Sequence, residues 1–119
     1  MKLKILILLT VVLSACFSSS EKGRIKKPDH FLKQDEMVEV TVDFRLTEAA
    51  IRQLAGYGED TKVLSKYYYK QVLKKHHITA DIYKENLTYY SKHPDELHQI
   101  YSRVVARLSE IQTELATQK

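Results

Sequence analysis

The chain has 119 residues, with 19 Lys+Arg against 15 Asp+Glu and a formal net charge of +4. That length holds one domain and excludes a second, and a domain of this size buries only roughly 60–70% of its unfolded surface, which argues against deep internal pockets. Two of the basic residues, Lys2 and Lys4, fall in a segment read below as removable, leaving 17 (19 less 2) against 15, an excess too small to argue for nucleic acid as a partner.

Met1-Lys2-Leu3-Lys4 supplies a positive start, and Ile5 to Leu13 is an apolar run broken only by Thr10, the plan of a secretory signal. The run is too short for a transmembrane helix, which needs about 20 apolar residues. Leu13-Ser14-Ala15-Cys16 closes it and resembles the lipobox of bacterial lipoproteins. The resemblance implies cleavage before Cys16 and attachment of diacylglycerol to its thiol. Ordinary signal-peptidase cleavage after Ala15 is the competing reading, and it sets the bulky Leu13 where a small residue is wanted. Cys16 is the single cysteine, so no disulfide or zinc framework is available. The expected organisation is a lipoprotein signal peptide over 1–15, a lipidated Cys16 with a flexible tether over 16–33, and a helical domain over 34–117. The tether reading rests on Ser18 to Ser20, Gly23, Pro28 and scattered charge. No acidic run follows Cys16, which makes a periplasm-facing position on the outer membrane of the cell envelope the default expectation.

The first helix is predicted from Gln34 or Asp35 to Leu54, with Met37, Val40, Phe44, Ile51 and Leu54 at helical spacing and Gly56 and Gly58 beyond its end. Val38, Val40 and Val42 alternate like a strand, but about twenty residues without a turn signal favour helix. Asp60 or Thr61 caps a second helix carrying Leu64, Tyr67, Tyr68 and Val72, with Lys74, Lys75, His76 and His77 at its C-terminal dipole. Thr79 caps a third, with Ile82, Tyr83, Leu87 and Tyr90 inward, which stops at Lys92-His93 before Pro94. Pro94 opens the fourth, whose Leu97, Tyr101, Val104, Leu108, Ile111 and Leu115 form a heptad-like seam, with Ile100 and Val105 widening the stripe. The fold class is all-α, a small bundle of about four helices, with the oligomeric state left open.

The lipobox, Met37 and its apolar helix, Tyr67-Tyr68-Tyr69-Lys70-Gln71-Val72-Leu73 leading to Ile78-Thr79, and Tyr89-Tyr90-Ser91-Lys92-His93-Pro94 before Leu97 together resemble a known family. It is the group of small uncharacterised lipoproteins of Bacteroidota that carry domain of unknown function 4296, over about Pro28 to Leu115. His93 stands where that pattern leads one to expect an acidic cap. The resemblance implies a helical envelope lipoprotein and brings no activity with it.

Catalytic chemistry finds no support in the residues, and the chain is expected not to be an enzyme. The only thiol is assigned to lipid, no Gly-x-Ser-x-Gly or Ser-x-x-Lys motif occurs, and three glycines cannot furnish a phosphate-cradling loop. The five histidines lack i,i+4 ligand spacing, so no metal and no cofactor is expected, and His76 and His77 read as dipole-favoured surface residues. The unusual feature is eight tyrosines with no tryptophan. Three consecutive helical residues sweep about 200°, so Tyr67, Tyr68 and Tyr69 cannot all face one core, and Tyr89 and Tyr90 straddle the boundary likewise. Those five are the candidate interaction face, and amphipathic tyrosines at the core edge are the alternative. The leading expectation is an adaptor, tethered to the membrane through Cys16, that presents an aromatic and basic face to another envelope protein. A carrier for a glycan, peptidoglycan fragment or lipid is the alternative.

Overall fold

The computed structural model describes residues 25–118, so the expected signal peptide, Leu13, Ser14, Ala15, Cys16 and half of the tether lie outside the described residues. Four helices follow one another: α1 (Gln34–Ala55), α2 (Thr61–Lys75), α3 (Ala80–Ser91) and α4 (Pro94–Thr117). The all-α bundle expected from periodicity is what forms.

The helix ends follow local chemistry. The Lys33 N–H donates to the Glu36 carboxylate at 2.7 Å and opens α1. Asp60 Oδ1 accepts from Lys62 N–H at 2.9 Å, and Thr79 Oγ1 from Ile82 N–H at 3.2 Å. Pro94 stands in the first turn of α4, where its missing N–H costs nothing. Between α1 and α2, Gly58 takes φ 87°, a backbone conformation that glycine adopts without strain.

α1 is the central element, packed against α2 on one side and α4 on another. Met37, Val38, Val40, Thr41 and Val42 are all buried, and at about 100° per residue they cover an arc of roughly 200°. That explains the strand-like alternation of valines: the helix is enclosed on more than one side, so the ordinary one-face pattern fails. Ile78, Tyr89, Tyr90, Ile100 and Val104 complete the core from the other elements. The α4 stripe differs from expectation at three positions. Its packed line is Leu97, Ile100, Val104, Leu108 and Ile111, whereas Tyr101, Val105 and Leu115 are exposed. Ile100 lies about 100° from Tyr101 and takes the inward position, and the last turns of α4 run past their neighbours' cover.

Candidate functional site

The segment just before α1 is part of the domain. Leu32 is buried, and His30 to Leu32 is clamped by two side chains of α3. Asn86, fully enclosed, accepts from the Leu32 N–H at 2.8 Å and donates from Nδ2 to the His30 carbonyl at 2.7 Å and the Ile82 carbonyl at 2.8 Å. The Tyr90 hydroxyl donates to the Leu32 carbonyl at 2.8 Å. Burial, with the charge of Glu96 adding to it, pushes that phenol up to about 12. Phe31 meets the edge of Tyr89 at 5.2 Å, and His93 stacks on the other side of Tyr89 at 4.2 Å.

This strap corrects part of the expected interaction face. Tyr89 and Tyr90 are buried, at 7% and 1% exposure, because the strap and His93 cover a side of α3 that the helix alone would leave open. It also shortens the tether: residues 30–33, expected as flexible linker, are packed or capping. His93 makes no capping hydrogen bond from its side chain to α4; instead its Nδ1 donates to the Tyr89 carbonyl at 2.8 Å.

α2 is held against α1 by an ion cluster. Lys75 Nζ and His76 Nε2 both donate to Oδ2 of Asp43, at 2.7 and 2.6 Å. Burial works against the Asp43 charge, and the hydrogen bonds from Lys75 and His76 outweigh it, so the carboxyl is held below its ordinary range. His76 is thus half-buried and paired, unlike the surface residue expected. His77 follows in the left-handed region at φ 54°, where its N–H reaches the Lys74 carbonyl at 3.2 Å and Ile78 N–H the Leu73 carbonyl at 3.1 Å, a Schellman termination.

Because the folded Asp43 carboxyl takes up its proton at lower pH than the unfolded one, its contribution to stability is present above about pH 4 and lost as pH falls through the folded value. Asp43→Asn is therefore expected to destabilise the domain at neutral pH and to flatten the acid limb of its urea midpoint plotted against pH. Two parallel acid limbs would show that Asp43 is not the group responsible.

The outward side of α2 carries the remaining candidates. Tyr67 is 58% and Tyr68 38% exposed, with their rings edge to face at 5.2 Å. Tyr69 turns inward and meets Phe44 at 5.6 Å. The face thus reduces to Tyr67 and Tyr68. Sequence reading took Lys74 and the basic neighbours of the tyrosines into account but passed over the row they belong to: Lys62, Lys66, Lys70 and Lys74 are all exposed. The signal was present as a repeat every fourth residue, hidden by the nearly balanced charge of the whole chain.

Among the described residues no group of three or more His, Cys, Asp or Glu side chains is placed to hold a metal, and no buried side-chain polar atom lacks a partner. No helix among them is long and apolar enough to cross a membrane. An open groove of ≈ 610 Å³ runs between Ile25 to Asp29 and α3, floored by Thr88 and Tyr89.

No curated protein matches the chain, and no solved structure does. A family does match, over residues 28–114. Its span begins at Pro28, six residues before α1, and so takes in the strap. The chain belongs to the DUF4296 family, a domain of unknown function.

Proposed function

We propose that this protein is a non-enzymatic adaptor of the cell envelope, held by lipid on Cys16 at the outer membrane and facing the periplasm, that presents Tyr67 and Tyr68 to another envelope protein. The observation that carries the reading is the exposed, mutually packed pair of rings on the outer side of α2. Tyrosine is enriched at protein interfaces because a rigid ring offers large apolar area with a hydroxyl at its edge. The lipobox supports the membrane placement: one acyl chain anchors only marginally, whereas two or more hold a protein stably.

The test is crosslinking in living cells with the full-length lipidated protein. One dominant protein adduct is expected, lost in the Tyr67→Ala/Tyr68→Ala variant, whose folding is checked by circular dichroism because Tyr68 is only 38% exposed. Cys16→Ser should move the protein out of the membrane fraction. An adduct indifferent to the double substitution would sink the adaptor reading. The groove between Ile25 to Asp29 and α3 favours a second reading, a carrier for a glycan or lipid, and a co-purifying small ligand in native mass spectra would select it.

A further inference from the structure

α2 places five lysines and no carboxylate in its 15 residues. Four of them, Lys62, Lys66, Lys70 and Lys74, recur every fourth residue and form one exposed row that drifts about 40° per step. The ion pairs among the described residues engage Lys75 with Asp43 and none of those four. Of the acidic residues just before the helix, Asp60 is occupied as its cap. Glu59 and Asp60 keep their charge beside Lys62, so the row presents uncompensated positive charge from Lys66 to Lys74, about 12 Å.

We infer that the lysine row of α2 rests on an anionic lipid surface, with the lysine ammonium groups on headgroup phosphates. Charge complementarity is the first argument, since each lysine near such a surface strengthens binding about 5-fold. Placement is the second. Leu32, Lys75, His76 and Ile78 line one cleft, so the C-terminal end of α2 lies beside the strap from which the tether leaves. A lipid on Cys16 would keep that end within roughly 20 Å of the bilayer, the reach of a coil of about 14 residues; in this the inference rests on the proposed anchor. Lysine stems suit the position, covering apolar surface while their charged ends stay in the polar layer. The centre of the Tyr67 and Tyr68 pair lies about 130° round the helix from the centre of the row. Docking through the lysines consequently leaves the tyrosine pair open to a partner.

The experiment places the full-length lipidated protein on phosphatidylcholine vesicles with and without phosphatidylglycerol. Amine-reactive labelling is then read lysine by lysine in the mass spectrometer. Labelling of Lys62, Lys66, Lys70 and Lys74 is expected to slow at least about 5-fold on the anionic vesicles, and to recover in high salt as screening shortens the field. Lys84 on α3 and Lys92 just beyond its end should change far less. Equal rates on both vesicles would overturn the inference, and so would slowing by soluble polyglutamate but not by anionic lipid, which would assign the row to an acidic protein. Flotation separates the anchor from the docking: salt-sensitive flotation with anionic vesicles alone supports the docking and removes the anchor. Flotation with neither overturns both.

Discussion

Asn86→Leu is expected to destabilise the domain by about 3 kcal/mol, although leucine nearly matches asparagine in size and the site is closed to water. The reason is what the amide leaves behind. The Leu32 N–H and His30 carbonyl have Asn86 as their partner, and an orphaned buried polar group costs about 1–3 kcal/mol. Small domains have only about 5–15 kcal/mol in all, so the loss is a large fraction. In urea unfolding followed by circular dichroism, the midpoint should fall with little change in slope, and Tm should drop by roughly 12–24 °C. Asn86→Asp should do no better, because a carboxylate accepts from Leu32 but has nothing to donate to His30 and Ile82. Thr88→Ala, two residues along and exposed, removes only a bond to the Lys84 carbonyl and should stay within about 0.5 kcal/mol. Asn86→Leu with wild-type stability would mean that the strap finds other partners.

Most of the helical frame was legible because its signals are local. Asp60, Thr79 and Pro94 sit where caps and first turns require them, and the structure places each there. The strap was not legible, because it depends on contacts between residues more than fifty positions apart. Yet one trace of it was in the sequence. Asn86 falls midway between Ile82 and Tyr90, four residues from each, on the inward side of α3. A polar residue in register with core positions asks for a partner.

The candidate face shows the same division. That Tyr67, Tyr68 and Tyr69 diverge around a helix follows from 100° per residue; which of them faces out depends on where α1 lies. Phe44 decides it by receiving Tyr69. For Tyr89 and Tyr90 the deciding neighbours are Phe31 and Leu32, residues that composition alone assigns to a linker. The lysine row was legible in spacing and lost in the sum, since net charge says nothing about where charges sit.

A chain begun at Gln34, the boundary composition suggests, is expected to be about 3 kcal/mol less stable than one begun at Lys26, with Tm lower by roughly 12–24 °C. Burial of Leu32, part of Phe31 and the tyrosine faces they cover contributes roughly 6 kcal/mol, and the three strap hydrogen bonds about 1 kcal/mol each. Ordering His30 to Lys33 opposes this by about 1.5 kcal/mol per residue. The shorter chain also uncovers Tyr89 and Tyr90 together, so it should bind a hydrophobic dye that the longer one ignores. Equal stability of the two chains would reduce the strap to a passive continuation of the tether. The expected difference makes it the first packed point behind the proposed membrane anchor, so that on that proposal any pull on Cys16 arrives at Leu32 and Asn86. The end of α2 shares a cleft with Leu32, and for that reason the orientation of the lysine row and the integrity of the strap should fail together.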